Sequence, residues 1–531
     1  MNFRHQYFLR RNRQFIVFSL GLALALFPVK VLSHYLNDRS MSTDNVQRTS
    51  QNIAEKQYYD ILLEADELYQ KSDFEKARKL YKTVKQSIPE PKLVNKPIYE
   101  TNLEKLSGRE YPVKLKVYWR EALEGFEKNR YGPIFTSLRL LIREYPEFVP
   151  AYLKLVEACK TYPEPCDSKN YAKDDEPRTI INILEQATTL YPYDTDLLKA
   201  KIEALDEFKD YSGASIAARQ FSILYSDYEE ASEFKSLADE YAKKHIKQIK
   251  RQVFTKSIGK TIIDIGIGVL TENPRYGVSA LQTLKLLFLG EENFGKNAAA
   301  AFIFDYKENE QLRDDQMLQN YVEGIGGQFI PFVGRDDLEF EFYIVEDNSL
   351  NAFVLPGGKI FINTGAILAA NSEAELAGII AHEVAHAALS HGYLKLSTSL
   401  VSESLSQIVP FLDLVSGIVN SKYSRDQETQ ADILGTRLLS QADYAADGMR
   451  NFLATLNEKG GDQKTTLLST HPAPSERIQY LEKLIVDGGY NIYSYEGVKS
   501  HRDIQNYING VNVEKEPKPD KSNLDGGKNR N

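Results

Sequence analysis

At 531 residues the chain exceeds a single hydrophobic core, since such cores rarely grow past about 250–300 residues. A hydrophobic content of 42% and a charged content of 26% describe an ordinary globular protein. The net charge of −9 is spread along the chain without a long basic run, so the sequence gives no support for nucleic-acid binding.

The first 33 residues have the pattern of a targeting segment. Four arginines lie between Met1 and Arg13, and an apolar run follows from Phe15 to Phe27. This pattern predicts a secretory signal peptide. The alternative is an uncleaved membrane anchor, because apolar residues continue past Pro28, although the run is short for the roughly 20 residues of a full span. Both interpretations predict an extracytoplasmic chain, either in the periplasm or anchored facing it.

The next region predicts paired helices. Residues 34–53 are polar and predict a linker, and residues 54–252 have helical patterning. Ala65 and Ala77, twelve residues apart, fit the small positions of a tetratricopeptide unit that Pro89 ends. Three degenerate units follow, so the region predicts a tetratricopeptide-like α-solenoid with a groove for peptide segments. A non-repetitive helical domain is the alternative.

The two cysteines of the chain lie seven residues apart within the third unit. Cys159 and Cys166 flank a Tyr-Pro-Glu-Pro sequence. In an oxidising compartment they predict a local structural disulfide. A zinc site is not predicted here, because no His lies near them.

Two further segments precede the chemical motifs. Residues 253–313 predict an apolar helical connector, in which Asp264 and Arg275 argue against a membrane span. Residues 314–498 predict a domain with a small sheet. The predicted strands are Leu338 to Val345, Asn351 to Leu355 and Ile360 to Asn363. The fold class predicted for the chain is α+β, mostly α.

A His-Glu-x-x-His motif lies in this domain. Positions i and i+4 share one face of a helix, so His382 and His386 can bind one metal ion. Glu383 lies next to the first of them and can act as general base on a water. The pattern is typical of a zinc hydrolase. A chance match on a surface helix is the alternative for such a short motif.

A zinc hydrolase needs a third protein ligand and an open fourth position. Glu428 and Asp432 lie one helical turn apart downstream. Glu428 is predicted to be the third ligand, and Asp432 to accept a hydrogen bond from a ligand imidazole and fix its tautomer. The alternative is a solvated acidic helix face. His391 is predicted not to be a ligand and to lie on the exposed side of the helix end, with Gly392 as the C-cap.

Between these motifs, residues 396–421 are apolar, with Glu403 and Asp413 as the only charges. Pro410 divides the segment into halves that are each too short to span a bilayer. They predict two short helices that form a wall or lid over the cleft. Plain core helices are the alternative.

Three segments resemble the family of HExxH zinc endopeptidases that contains the CAAX prenyl protease and the heat-shock membrane protease HtpX. They are H-E-V-A-H-A-A-L-S-H-G, S-R-D-Q-E-T-Q-A-D and T-H-P-A-P-S-E-R-I. The last half of the chain is covered, and the repeats resemble those of a soluble periplasmic branch. The resemblance implies a zincin-like domain with one Zn²⁺ that hydrolyses peptide bonds of protein substrates. It further implies envelope protein quality control, with misfolded envelope proteins as substrates and membrane association as a possibility.

The resemblance also implies roles that spacing alone does not assign. His471 would lie near the zinc, where it either stabilises the oxyanion or binds the metal and holds the enzyme latent. Arg477 is the weaker oxyanion candidate, with a structural ion pair as its alternative. Asn351 and Ala352 would bind the substrate backbone by strand addition, against an ordinary hairpin.

A second functional class remains open. The long repeat region and the possible fourth ligand are compatible with a chaperone-like scaffold that carries a dormant protease domain. The presence of every catalytic residue opposes it. Residues 499–531 are polar and predict a disordered tail.

Overall fold

The structure is a computed structural model that describes residues 43–85, 97–107, 111–167, 179–253, 285–402, 411–459, 471 and 474–510. The chain divides into two compact units, Met1–Asp60 and Ile61–Asn531. Every tertiary contact given below lies within the second unit. The predicted targeting segment, 1–33, and much of the predicted connector, 254–284, lie outside the described residues.

Helices occupy most of the described chain before residue 254. They are α1 (Thr43–Gln70), α2 (Phe74–Val84), α3 (Val113–Glu127), α4 (Tyr131–Glu144), α5 (Val149–Thr161), α6 (Ile180–Leu190), α7 (Thr195–Glu207), α8 (Tyr211–Leu224) and α9 (Ala231–Val253). Helix α1 begins at Thr43, so the described part of the predicted linker 34–53 is helical, and its role as a linker stays a prediction.

Local sequence signals explain several of these helix ends. Asp194 accepts a hydrogen bond from the Leu197 amide at the start of α7, and Asp210 accepts one from the Gly213 amide at the start of α8. From α3 to α9, each helix packs against the next one in the chain. A helical N-terminal region is therefore confirmed, whereas its identity as a tetratricopeptide solenoid stays a prediction.

Cys159 and Cys166 form a disulfide that links the end of α5 to the one-turn helix Glu164–Cys166. Their Cα atoms lie 5.6 Å apart. The bridge closes a short loop at the edge of an apolar cluster that contains Trp119 and Tyr152.

The remaining described elements build the domain that carries the motifs. They are α10 (Glu291–Glu308), α11 (Gln316–Gly326), β1 (Glu341–Val345), β2 (Ala352–Leu355), β3 (Lys359–Asn363), α12 (Thr364–Ala369), α13 (Glu373–Ala388), α14 (His391–Ser402), α15 (Phe411–Val419), α16 (Arg425–Gln441), α17 (Gly448–Lys459), α18 (Pro474–Asp487) and α19 (Val498–Ile508). No helix among the described residues is long and apolar enough to cross a membrane.

The small sheet is confirmed, with the strand order β1-β3-β2. The central strand β3 runs parallel to β1 and antiparallel to β2. Gly357 and Gly358, both at a φ of 77°, form the tight turn that joins β2 to β3, a backbone conformation that glycine adopts without steric cost. The arrangement leaves β2 at one edge of the sheet.

Helix α13 lies at the centre of the domain core. All of its residues are buried, and they include the polar side chains of Glu373, Glu375 and the motif. Ser372 caps its start by accepting a hydrogen bond from the Glu375 amide. Gly378 permits close packing on α17, because a Cβ atom there would lie 2.3 Å from the Met449 backbone nitrogen. The His-Glu-x-x-His motif therefore lies on a rigid, fully enclosed helix.

The C-terminal prediction needs a correction. Helix α19 lies inside the segment that was predicted as a disordered tail, so that prediction is wrong for residues 499–508. The polar composition hides an amphipathic helix whose buried face includes Val498, His501 and Ile504. His501 is fully buried, and its Nε2 lies 3.0 Å from the Ala370 carbonyl oxygen. Residues 511–531 lie outside the described residues.

The N-terminal helices contact the motif domain through buried polar groups. Asp66 of α1 accepts hydrogen bonds from the amides of Glu496 and Val498, each at 2.9 Å. Lys85, at the end of α2, pairs with Asp447 at 2.8 Å and also with Glu496. Because a buried charge is costly unless it is paired, removal of either partner would destabilise this contact between the two regions.

Candidate active site

Four buried side chains converge between α13, α16 and the residue that precedes α18. The Nε2 atoms of His382 and His386 lie 3.1 Å apart. Glu428 of α16 places one oxygen 3.6 Å from His382 Nε2 and the other 3.8 Å from His386 Nε2. With His471, these residues each offer one ligand atom, and the four atoms lie within 4.8 Å of one another.

The donor set fits a zinc ion. Imidazole nitrogens and one carboxylate oxygen are ligands that zinc prefers, and three of them leave a position open for catalysis. Both histidines are enclosed, and burial lowers the pKa of each imidazole, which favours the neutral form that binds metal. His382, His386 and Glu428 would therefore hold the ion.

The Nδ1 atom of His382 faces a carboxylate. Asp432 Oδ1 lies 3.1 Å from it, at the position predicted for a tautomer-fixing partner. Arg477 holds Asp432 by two hydrogen bonds, from Nε at 2.9 Å and from Nη2 at 2.6 Å. Burial alone would raise the pKa of Asp432, but the charge of Arg477 and the hydrogen bonds lower it to about 2.

Arg477 also reaches a metal-ligand candidate. Its Nη1 lies 2.9 Å from Glu428 Oε2. The guanidinium is therefore engaged by two buried carboxylates, of Asp432 and Glu428. This arrangement favours the structural ion pair over the oxyanion role that the sequence left as the other possibility.

His391 does not occupy the predicted position. It is fully buried rather than exposed, and its Nδ1 lies 2.8 Å from His386 Nδ1. Gly392 is not a C-cap, since it lies inside α14. Helix α13 ends at Ala388, and Ser390, at a φ of 58°, reverses the chain so that His391 returns towards the motif. The sequence prediction placed His391 by its five-residue distance from His386 along one continuous helix, and this spacing does not reveal the break at Ser390.

Tyr423 was missed entirely by sequence reasoning. Its ring stacks on the imidazole of His386, with the ring centroids 4.1 Å apart and the planes at 25°. The residue directly precedes the Ser424 cap of α16, and no spacing rule marks it. Stacking on one face restricts rotation of the imidazole.

Glu383 is the buried carboxylate beside the metal-ligand candidates. Its nearest ionic partner is His471 Nε2, 3.5 Å from Oε1, and the backbone amide of Val354 faces the carboxylate. Burial raises its pKa to about 7, although the charge of His471 and the Val354 amide act in the opposite direction. Because Val354 belongs to β2, the general-base candidate lies beside the edge strand.

The two predicted substrate-binding residues lie at the start of that strand. Ala352 is the first residue of β2 and pairs with Ile362 of β3. Asn351 directly precedes the strand, and its side-chain Oδ1 is buried without a hydrogen-bond partner among the described residues. Their position suits strand addition, and their role stays a prediction.

His471 lies against the candidate ligands. Its Nδ1 is 2.9 Å from Glu428 Oε1 and 3.3 Å from His382 Nε2. Burial lowers the pKa of His471, but the Glu428 and Glu383 carboxylates outweigh that effect and raise it. The geometry suits a fourth ligand in this conformation.

Comparisons with known proteins agree with this geometry. Residues 316–485 match the family model of peptidase family M48. The chain is 31% identical over 195 residues to the mitochondrial metalloendopeptidase OMA1 of Schizosaccharomyces pombe, an alignment that covers 34% of this chain and 58% of that protein. It is 26% identical over 201 residues to a putative beta-barrel assembly-enhancing protease of Vibrio cholerae, covering 34% and 41%.

A third relative is the metalloprotease YcaL of Escherichia coli, 27% identical over 165 residues, which covers 28% of this chain and 63% of that protein. The chain thus spans less than two thirds of the length of these relatives. The resemblance to HExxH zinc peptidases is confirmed at the level of peptidase family M48 for residues 316–485.

Proposed function

We propose that this protein is a zinc-dependent endopeptidase that hydrolyses peptide bonds of protein substrates. The observation that carries the proposal is the convergence of two imidazoles and a carboxylate beside Glu383, a carboxylate that is itself buried. A bound zinc ion would polarise a water molecule and the scissile carbonyl. The metalloprotease relatives support the same reaction class.

The residues of the chain then take defined roles. Glu383, with a pKa raised to about 7 by burial, removes a proton from the attacking water and later delivers it to the leaving amine. The outer edge of β2 binds the substrate backbone through main-chain hydrogen bonds, with Asn351 and Ala352 at its start. Because β2 adjoins Glu383, a peptide on this edge lies next to the general base.

His471 has two possible states in this proposal. As a fourth ligand it occupies the coordination position that catalysis needs, and the enzyme is latent. Moved away from the metal, it donates a hydrogen bond to the developing oxyanion. The position of His471, whose ligand atom lies within 4.8 Å of the other three, supports the latent state for the conformation described here.

The biological role that we propose is protein quality control in the cell envelope. The similarity to a putative beta-barrel assembly-enhancing protease and the predicted signal peptide or anchor support an extracytoplasmic location, in the periplasm or facing it. In this role, α1 to α9 form a tetratricopeptide-like region that holds misfolded envelope proteins. We further propose that the chain belongs to the soluble, repeat-bearing branch of the family.

The test is cleavage of casein by the full chain, compared with the Glu383→Gln variant, with bound zinc quantified in both. We expect both proteins to bind about one zinc, and only the wild type to cleave. Cleavage by both would overturn the role of Glu383. If neither cleaves, activity of the His471→Ala variant would establish latency.

A chaperone-like scaffold with an inactive protease domain is the second candidate, because His471 offers a fourth ligand atom to the candidate metal site. This function is supported if His471→Ala also fails to cleave while the wild type prevents aggregation of an unfolded protein.

A further inference from the structure

A line of hydrogen bonds leads away from His386 through α14 and α16. His391 Nδ1 lies 2.8 Å from His386 Nδ1, and His391 Nε2 lies 3.1 Å from Gln430 Oε1. At its far side, the amide nitrogen of Gln430 donates to Asp426 Oδ2 at 2.9 Å. His391 and Gln430 are both buried. We call these three residues, His391, Gln430 and Asp426, the relay.

The chemistry of the outermost group fixes the direction of every bond in the relay. An ionised carboxylate only accepts hydrogen bonds, so Asp426 requires the NH₂ group of Gln430 to point towards it. The amide oxygen of Gln430 then faces His391 and can only accept. His391 Nε2 must therefore carry a hydrogen.

The same logic continues to the metal-ligand candidate. In a neutral imidazole one nitrogen donates and the other accepts, so His391 Nδ1 becomes an acceptor. His386 must then donate from its own Nδ1. This tautomer leaves the lone pair of His386 Nε2 directed at the metal position, as a zinc ligand requires.

We propose that the relay of His391, Gln430 and Asp426 sets the tautomer of the zinc ligand His386, and that these residues are positioning residues of the metal site. The inference rests on the proposed function, because it assigns the relay to a zinc centre. The three relay residues would act on the metal site without binding the metal. Its consequence is measurable as zinc affinity, independent of any cleavage reaction.

One of the N-terminal helices, α7, contacts the outer end of the relay. Lys201 of α7 is buried, and its Nζ lies 3.7 Å from Asp426 Oδ1. Asp426 lies in the first turn of α16, where Ser424 and Gln427 form a capping box that fixes the helix start. The relay therefore contacts the N-terminal helices through the carboxylate of Asp426.

The test compares zinc affinities of full-length variants by competition with a chelator. Gln430→Leu removes the acceptor that faces His391, and we expect zinc affinity to fall about 10- to 100-fold. The double variant Gln430→Glu with Asp426→Asn keeps an acceptor towards His391 and preserves the net charge, while it reverses the outer bond and moves the carboxylate one residue closer to His391. We expect this variant to bind zinc within about threefold of the wild type.

Thr436→Val is the matched control, since Thr436 lies on the same helix and its hydroxyl is buried without a hydrogen-bond partner among the described residues. Zinc affinity should not change there. Two results would overturn the proposal: wild-type affinity in Gln430→Leu, or an affinity in the double variant as low as in Gln430→Leu. The second result would mean that Gln430 contributes packing alone.

Urea unfolding of the zinc-free proteins separates positioning from stability. A positioning role lowers zinc affinity with an unchanged unfolding midpoint. If Gln430→Leu does not fold, the variant Asp426→Ala takes its place in the test. The Asp426 side chain is 32% exposed, and without its carboxylate the Gln430 amide can flip. We expect a three- to tenfold loss of affinity there, about 1 kcal/mol, and an unchanged affinity would overturn the proposal. Zinc binding without cleavage of casein, in both the wild type and the His471→Ala variant, would end the peptidase proposal only.

Discussion

The two histidines of the motif are supported in different ways. His382 meets a carboxylate directly, at 3.1 Å, and Arg477 neutralises that carboxylate inside the core. His386 instead meets a second imidazole, and the carboxylate of Asp426 lies two further residues away. The short support of His382, which consists of Asp432 and Arg477, is charged. The long support of His386, which consists of the relay, is uncharged until its outer end at Asp426.

The difference reflects the cost of burying charge. A buried carboxylate needs a buried cation, and removing either partner leaves an uncompensated charge. On the His386 side, neutral groups fill the interior, and the charged end lies where Asp426 is partly exposed. The short support therefore couples the metal site to the stability of the core, whereas the long support couples it to the neighbouring helices. The predictions below separate these two effects.

Asp432→Ala should have the largest effect, because it leaves Arg477 short of a buried partner. We expect the free energy of unfolding to fall by about 3–5 kcal/mol, together with a loss of zinc affinity of about 100-fold. Urea unfolding of the zinc-free protein and chelator competition measure the two quantities. Unchanged stability would contradict the view that the short support is part of the core.

Acidification should weaken the packing of α14, the helix that begins with His391. His245 of α9 is buried, and its Nε2 lies 2.6 Å from Ser397 Oγ of α14. Burial lowers its pKa to about 4, although the charge of Asp210 acts in the opposite direction. Since the unfolded chain binds this proton more readily, the contribution is complete above pH 6.5 and is lost as pH falls towards 4.

Complete protonation would cost about 3 kcal/mol, from a difference of roughly 2.5 pKa units. Urea unfolding between pH 7 and 4 measures this loss. His245→Gln, which keeps a side-chain donor and does not titrate, should flatten the pH dependence over this window. A slope identical to that of the wild type would assign the acid sensitivity to other groups.

His391→Leu should act on zinc more than on stability, in contrast to Asp432→Ala. The leucine fills much of the same space but cannot accept the hydrogen bond of His386. We expect zinc affinity to fall about 10- to 100-fold and the unfolding midpoint of the zinc-free protein to change little. A large loss of stability with little loss of affinity would show that the long support is structural.

The short support can be predicted from the sequence and the long one cannot, for a geometric reason. Glu428 and Asp432 share a helix face, so their spacing of four residues predicts that Asp432 lies at the site once Glu428 is taken as a ligand. The relay depends on the reversal at Ser390 and on packing between α14 and α16, which are tertiary features. A single helical period cannot reveal contacts that form across a break between helices.

The same distinction applies to the fold. Local sequence patterns predict the buried motif helix, the small sheet and the helical N-terminal region. In the motif helix α13, for example, apolar residues such as Ala374, Ile379 and Val384 are buried on all sides. Helix α19 was missed because its polar composition resembles a tail, and only packing against α12 and α13 reveals its buried face. The composition of a segment predicts how well water solvates it, but does not show on which face its few apolar residues lie.

Lys201→Met should have the smallest effect and tests whether the N-terminal helices contribute to the metal site. The variant keeps the buried aliphatic stem and removes the charge that faces Asp426 at 3.7 Å. Because Asp426 is partly exposed, the lost ion pair contributes about 1 kcal/mol at most, and we expect zinc affinity to fall by no more than about fivefold. The decisive comparison is with the Asp426→Ala background, in which Lys201→Met should change zinc affinity no further, because its partner is already gone. An additional loss in that background would mean that α7 acts on the metal site by a route other than Asp426.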